Sequence, residues 1–163
     1  MARKGSAKDQ PSAYDKALGL LARREHSARE LKTKLARRGL DAGESEAALE
    51  KLKAKDFQSD ARFGEMLIRS RIDGGYGPRW ILAELRTHGI DEARSRALLD
   101  DAAVDWPAQV RRQLRRRYGG KVATTLAERA KRAGFLLRRG FDASTVKLAV
   151  GDSGMAEPSG DAD

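Results

Sequence analysis

The feature that most constrains this chain is a three-residue string that occurs three times at almost equal spacing. The string is glycine, an apolar residue and aspartate, and it recurs after 50 and then 51 residues, as Gly39-Leu40-Asp41, Gly89-Ile90-Asp91 and Gly140-Phe141-Asp142. Glycine suits the left-handed position past a helix end, the apolar residue folds back onto that helix, and aspartate caps the next helix. Each string therefore predicts a corner between two helices. A leucine five residues before each apolar residue supports this interpretation, at Leu35, Leu85 and Leu136.

Start signals for further helices surround these corners. Ser27 followed by Glu30 predicts a capping box at the start of the second helix of the first unit. Asp105 has the character of an N-cap, and Pro78 and Pro107 suit a first helical turn. Together with the apolar spacing, these signals predict three helices in each of three units.

The composition favours the same fold class. Aromatic residues make up only 6% of the 163 residues, and alanine, leucine, arginine, lysine and glutamate dominate, which favours helix over strand. We predict an all-α fold of three tandem three-helix repeats that form an elongated, curved body, because units of this size bury little core alone. The predicted segments are a disordered arm (1–12), repeat 1 (13–58), repeat 2 (59–105), a strongly basic repeat 3 (106–150) and a disordered acidic tail (151–163).

The charge of the chain is concentrated in the third repeat. The formal net charge is +9, and residues 106–150 hold 12 basic and only 2 acidic side chains. Residues 13–58 hold 11 basic and 8 acidic side chains, and residues 59–105 hold 7 basic and 9 acidic ones. Positive and negative charges therefore nearly balance within each of these two segments. An excess of this kind on one repeat favours an anionic partner.

Residues that could support catalysis are sparse. His26 and His88 are the only histidines, cysteine is absent, and neither histidine has a companion at metal-ligand spacing. We interpret both as structural or exposed residues at analogous helix ends. The Gly74-Gly75-Tyr76-Gly77 segment lacks the lysine of a phosphate loop, and adjacent Asp100 and Asp101 point to different helix faces. We therefore expect a protein that is not an enzyme and uses no cofactor or metal.

The basic residues are the best candidates for partner binding. Arg111 and Arg115 are an i, i+4 pair of like charges, and arginine rather than lysine dominates the repeat, which favours bidentate contacts to phosphate or carboxylate. A solvated face whose arginine stems cover apolar surface is the alternative. Few aromatic residues interleave with these arginines in the sequence, so a stacking platform for single strands is not evident. The candidate partner-binding residues are Arg111, Arg112, Arg115, Arg116, Arg117, Lys121, Lys131, Arg132, Arg138, Arg139, Arg79 and Arg86.

Several sequence blocks resemble the RecX family of regulatory proteins over roughly residues 13–150. The first block is Leu20-Leu21-Ala22-Arg23-Arg24-Glu25-His26-Ser27, and the last is Phe135-Leu136-Leu137-Arg138-Arg139-Gly140-Phe141. Between them, Tyr76-Gly77-Pro78-Arg79-Trp80-Ile81 is similar to the family's most distinctive block. One departure is Asp56, where the family usually has glycine, although aspartate tolerates a left-handed turn better than most residues.

The resemblance implies a modulator of RecA, the recombinase that coats single-stranded DNA as a helical filament. A protein of this family would lie in the filament groove and restrain ATP hydrolysis, strand exchange and co-protease activity in the SOS response. The alternative is a helical repeat protein that binds DNA directly without sequence preference. We expect a monomer. We expect it in the cytoplasm, because the sequence contains no membrane span, signal peptide or cysteine.

Overall fold

The structure is a computed structural model, and it describes residues 10–152. Within that range the chain forms nine helices and no strand, which confirms the predicted all-α class. No helix in these residues combines the length and hydrophobicity that crossing a bilayer requires. The helices are α1 (Ala13–Leu21), α2 (Ala28–Arg37), α3 (Ala42–Ala54), α4 (Asp60–Asp73), α5 (Pro78–Thr87), α6 (Glu92–Asp101), α7 (Trp106–Tyr118), α8 (Leu126–Arg138) and α9 (Ala143–Asp152).

The expected disordered ends lie mostly outside the described residues. Residues 1–9 and 153–163 are not described, so the predicted arm and tail remain predictions there. Residues 10–12 precede α1 without being part of it, whereas residues 151–152 belong to α9. Ser12 caps α1 through its hydroxyl, and α9 continues to Asp152.

Polar side chains start most of the helices. In each case a side-chain oxygen accepts a hydrogen bond from the N–H three residues later, which satisfies one of the open donors of the first turn. The capping box predicted at Ser27 and Glu30 is only half formed. Ser27 caps α2, but the Glu30 carboxylate bonds to Arg24 and Lys34 instead of returning to the Ser27 N–H. The residues that cap in this way are Ser12, Ser27, Asp41, Ser59, Asp91, Asp105 and Thr125.

The three predicted corners are equivalent helix junctions. Gly39, Gly89 and Gly140 have positive φ angles of 76°, 80° and 86°. The N–H groups of the following apolar residues donate to the leucine carbonyls five residues earlier, at 3.2, 3.2 and 3.3 Å. This bond is the Schellman closure of a helix end. Leu35, Leu85 and Leu136 are fully buried, as the repeat predicts.

Each repeat has its own apolar core. Leu31, Leu35 and Leu49 belong to the first core, Phe63, Ile81 and Leu85 to the second, and Val110, Leu136 and Phe141 to the third. Trp106 packs against both the second and the third core. Trp106 therefore joins the apolar cores of the second and third repeats.

The second and third repeats meet backbone to backbone. The N–H of Gly77 donates to the Arg139 carbonyl at 2.8 Å, and the N–H of Arg79 donates to the Gly140 carbonyl at 3.0 Å. The start of α5 is thus capped by the end of α8, which explains why α5 has no side-chain cap. A Cβ atom on Gly77 would overlap the backbone of Gly140 and Phe141, so only glycine allows this approach.

The first and second repeats meet in the same orientation but through side chains. At the start of α2, the N–H of Ala28 donates to Asp60 at 2.9 Å, and the Ser27 hydroxyl lies 3.2 Å from Nδ1 of His88 at the end of α5. The guanidinium of Arg29 donates to the Thr87 carbonyl at 3.2 Å. The end of α8 therefore meets the start of α5, and the end of α5 meets the start of α2.

The two histidines are not at analogous positions, contrary to the sequence interpretation. His26 precedes α2 and is 2% exposed, whereas His88 is the C-cap of α5 and is half-buried. Nδ1 of His26 donates to the Arg24 carbonyl at 3.0 Å, so Nε2 accepts from Lys34, also at 3.0 Å. Burial lowers the pKa of His26 from 6.5, and this neutral imidazole is part of the structure of the first repeat.

Candidate partner-binding surface

The cations of the third repeat have no ion-pair partner in the part of the chain that the structure describes, whereas many cations of the first two repeats have one. Among residues 10–152, every ion pair lies between Arg24 and Arg96, where acidic side chains are available. The third repeat offers only Glu128 and Asp142, and Glu128 accepts from the backbone of Thr124 in the α8 capping box. Positive charge on this repeat is therefore left uncompensated by the described residues.

Four arginines form a stripe on the solvent face of α7. Arg111, Arg112, Arg115 and Arg116 are all exposed, whereas Val110, Gln113 and Leu114 on the opposite face are buried. At 100° per residue, the four side chains occupy one side of the helix. We call these four residues the α7 arginine stripe.

The end of the stripe borders an open cleft. Arg111 and Arg115 line it together with Lys121, which comes from the segment that follows α7. Gly119 and Gly120 form part of its wall and add no side chain. Four of the predicted cations, with Arg132 as the fourth, therefore line a concave surface that suits a phosphate or carboxylate group.

Arg132 belongs to the fold rather than to the exposed surface. It is 8% exposed, it donates to the Lys121 carbonyl at 2.7 Å, and its guanidinium lies 4.6 Å from the centre of the Tyr118 ring. The guanidinium ties the segment after α7 to α8. The predicted role of Arg132 in partner binding therefore does not fit its burial.

Arg117 and Arg139 are held against aromatic rings. The guanidinium of Arg117 lies 4.4 Å from the Phe135 ring centre, and that of Arg139 lies 5.1 Å from it. Arg139 is also 5.2 Å from the Tyr76 ring and donates to the Gly74 carbonyl at 2.9 Å, across the junction between the repeats. These contacts orient both groups and keep part of each at the surface, since Arg117 is exposed and Arg139 is half-buried.

The fold places aromatic rings beside these arginines, although few rings interleave with them in the sequence. Tyr76 and Trp80 come from the second repeat and stack on each other, with ring centres 4.9 Å apart. The fold brings them to Arg139, which lies some sixty residues further along the chain. Sequence spacing carries no signal of this juxtaposition, because it depends on how the two repeats dock.

The remaining candidates lie at separate places. Lys131 and Arg138 are exposed on α8, seven residues apart and so on one face. Arg86 lies 3.9 Å from the Glu92 carboxylate, an exposed pair of little energetic value. Arg79 lines a cleft between the second and third repeats that also contains Asp100 and Asp142. The α7 arginine stripe with Lys121 is thus the main concentration of predicted site residues.

No cluster of three or more histidine, cysteine, aspartate or glutamate side chains in residues 10–152 could hold a metal ion. Tandem three-helix repeats with one strongly cationic surface define the class of the chain as a helical-repeat protein with an exposed basic surface.

The family models give this class a specific membership. Residues 13–52 match the first three-helix domain of RecX, residues 59–98 match the second, and residues 105–150 match the third. The chain belongs to the RecX family of regulatory proteins.

Individual relatives agree with this assignment. The chain is 45% identical over 135 residues to Regulatory protein RecX of Stenotrophomonas maltophilia strain R551-3, with 83% of each chain covered. It is 40% identical over 148 residues to Regulatory protein RecX of Xanthomonas campestris pv. campestris strain B100, with 91% of each covered. The crystal structure of RecX from Lactobacillus salivarius is similar in fold, with a TM-score of 0.71, 21% identity, and coverage of 88% of this chain and 95% of that chain. A second crystal structure, of regulatory protein RecX, has a TM-score of 0.70 and 23% identity, with coverage of 86% of this chain and 70% of that chain.

Proposed function

We propose that this chain binds the filament of RecA on single-stranded DNA, within the filament groove, and mainly inhibits RecA. The family assignment supports RecA as the partner. The single observation that supports a binding surface on this chain is the α7 arginine stripe, which is exposed and has no described ion-pair partner. An array of repeats joined end to start suits a groove, because it presents a long surface to several filament subunits at once.

The stripe and Lys121 supply the charge for this interaction. Cations without partners attract an acidic protein surface or DNA phosphates, and arginine contacts such groups through two parallel hydrogen bonds. We propose Lys131 and Arg138 as further contacts, together with Arg79, Arg86 and the exposed parts of Arg117 and Arg139. The proposed consequences are reduced ATP hydrolysis, reduced strand exchange and lower co-protease activity in the SOS response.

The direct test is the ATPase rate of RecA filaments formed on single-stranded DNA. We expect substoichiometric amounts of the full chain to lower the rate, because one bound protein would bridge several subunits. A rate that stays constant across the titration, with filament formation verified, would contradict the proposal.

A second candidate function is direct DNA binding without sequence preference. The same uncompensated charge favours it, because phosphates bound by arginine release counterions. This version predicts binding to DNA in the absence of RecA, with an affinity that falls steeply as salt rises. It also predicts equal affinity for DNA duplexes of unrelated sequence, measured by fluorescence anisotropy at fixed ionic strength.

The remaining proposals concern the setting of the protein. We propose a monomer that acts in the cytoplasm, where RecA assembles on DNA. Sedimentation velocity tests the first point, and a concentration-dependent dimer would contradict it.

A further inference from the structure

Trp80 is the largest of the exposed hydrophobic side chains in the described residues, and the proposed RecA-binding surface does not use it. It is 45% exposed even though one face of its ring lies on Tyr76 with an interplanar angle of 27°. The remaining exposure therefore belongs to the other face and the edge of the indole. An open cleft beside the ring is lined by Arg71, Tyr76, Ala83, Glu84 and Thr87 as well as Trp80.

The position of the indole is fixed by its neighbours. Tyr76 supports one face of the ring, and the Trp80 backbone packs closely against Gly140 of the third repeat. The Glu84 carboxylate is neutralised by two hydrogen bonds from Arg71, both 2.6 Å long. Because Glu84 is paired with Arg71, it repels a negatively charged ligand less than an isolated carboxylate would.

Starting from Trp80 and its stacked Tyr76, guanidinium groups and aromatic rings lie next to one another in alternation. Tyr76 lies under Arg139, Arg139 also covers Phe135, and Arg117 covers Phe135 from α7, with the distances given above. A guanidinium stacked on a ring keeps its N–H donors around its edge. The series leads from the exposed indole to cations that are already oriented.

This alternation resembles the chemistry of a nucleic acid strand, in which bases alternate with phosphates. We infer that Trp80, Arg139 and Arg117 form a binding platform for single-stranded nucleic acid, with one base stacked on the indole and adjoining phosphates bound to the two arginines. Unstacked bases expose faces for such contacts, whereas paired bases in a duplex do not. Tryptophan, tyrosine and arginine are also common in protein interfaces, and the repeated alternation of rings with guanidinium groups is what favours a nucleic acid strand at this position. The inference goes beyond the proposed regulation of RecA, because it requires no recombinase, and it deepens the second candidate function by naming a site that selects single strands.

The first experiment uses the indole as its own reporter. Trp106 is the only other tryptophan, and Trp106→Phe keeps a ring between the second and third cores. In this background, we expect a short oligo(dT) strand to quench Trp80 fluorescence, because a stacked base quenches an indole. An abasic strand of equal length supplies the phosphates without the bases. Equal quenching by both strands would overturn the stacking contact.

The second experiment measures affinity for oligo(dT) by anisotropy. Trp80→Leu is expected to weaken binding by about 5- to 150-fold, the equivalent of ~1–3 kcal/mol for one stacked base. The slope of affinity against salt should stay unchanged, because no phosphate contact is lost. Trp80→Tyr is expected to restore most of the affinity.

Phe57 provides the matched control. It is an aromatic residue of similar exposure, 48%, in the first repeat, and no described cation lies over its ring. Phe57→Leu should bind oligo(dT) as the parent chain does, and circular dichroism verifies that each variant folds. If Trp80→Leu and Phe57→Leu weaken binding equally, the platform is overturned.

Two outcomes separate this inference from the proposed regulation. If Trp80→Leu keeps its affinity for oligo(dT) but no longer inhibits RecA, Trp80 contacts protein and the platform is overturned. If the parent chain fails to inhibit RecA but oligo(dT) quenches Trp80 and Trp80→Leu binds weakly, the proposed regulation fails and the platform stands.

Discussion

The Arg79 N–H donates a hydrogen bond of 3.0 Å to the Gly140 carbonyl, so α5 starts where α8 ends. This contact aligns the positive end of one helix dipole with the negative end of another. It also fixes the second repeat on the third through backbone atoms, whose positions vary less than those of long side chains. The candidate surface depends on this junction, because Arg139 and Tyr76 meet across it.

Gly77 provides a direct test of the junction. Because its φ angle is −93°, alanine would not strain the backbone at this position, but its Cβ atom would overlap the backbone of the Gly140 corner. We expect Gly77→Ala to lower the free energy of unfolding by about 1–3 kcal/mol, the usual cost of overpacking. Urea denaturation followed by circular dichroism measures the change.

Gly19 is the matched control for the same substitution. It lies inside α1, and a Cβ atom there meets nothing within 4 Å. Gly19→Ala should stabilise the chain by about 0.5–1 kcal/mol through helix propensity. If the two variants shift stability in the same direction and by similar amounts, the close approach at Gly77 is not what holds the repeats together.

The corners of the fold are predictable from sequence because their determinants are local. A glycine, an apolar residue and an aspartate act within a few residues of each other, so their spacing carries the full signal. Asp56 follows the same logic, since its φ angle of 58° lies in the left-handed region, which aspartate tolerates better than most residues. Its carboxylate also accepts from Arg62 at 3.0 Å.

Features that depend on competition or docking are not predictable in this way. Glu30 has the spacing for a capping box, yet Arg24 and Lys34 take its carboxylate. Burial opposes its ionisation, but these hydrogen bonds outweigh burial and lower its pKa to about 2. The alternation of rings and guanidinium groups depends on residues from separate segments. The residue counts show that the third repeat is cationic, but they do not show which of its arginines are exposed.

Arg132 and Lys131 allow a test of this distinction within two adjacent residues. Arg132→Ala should cost about 1–3 kcal/mol of unfolding free energy, because it leaves the Lys121 carbonyl without its donor and removes a stacked guanidinium. Lys131→Ala should change stability by less than about 0.5 kcal/mol, since Lys131 is exposed. Thermal denaturation of both variants decides the matter. Equal stability would mean that Arg132 is not structural.

His26 should make the stability of the chain depend on pH. Burial lowers its pKa in the folded state below the ordinary 6.5, so the unfolded chain takes up a proton at a pH where the folded chain does not. Stability should therefore fall as pH decreases below about 6.5, until the folded pKa is passed. Melting temperatures measured from pH 8 to pH 5 would show the fall.

An asparagine variant isolates the contribution of this histidine. The side-chain amide of His26→Asn replaces the Nδ1 donor to the Arg24 carbonyl but does not titrate. The fall in melting temperature between about pH 6.5 and pH 5 should be smaller in this variant. If it is as steep as in the parent chain, another group is responsible.

Charge reversal of the α7 arginine stripe tests whether it binds an anionic partner. Replacing Arg111, Arg112, Arg115 and Arg116 with glutamate should leave the fold intact, because all four side chains are exposed and the like-charge pairs at i, i+4 remain only as repulsive as before. We expect at least a tenfold loss in apparent affinity for the RecA filament, measured as the concentration that halves the ATPase rate, because several charge-assisted hydrogen bonds become repulsions.

A control with the same change in net charge separates the stripe from the overall charge of the protein. Arg37, Arg38, Lys51 and Arg69 are exposed in the first two repeats, and none has an ion-pair partner among the described residues. Because each reversal removes two charges, either set of four lowers the formal net charge from +9 to +1. A specific surface predicts that the control set keeps most of the inhibition at physiological salt, where charges more than ~8 Å apart are screened from each other. Equal losses in the two variants would mean that overall charge attracts the partner, and retained inhibition in both would leave the arginine stripe as a solvated face.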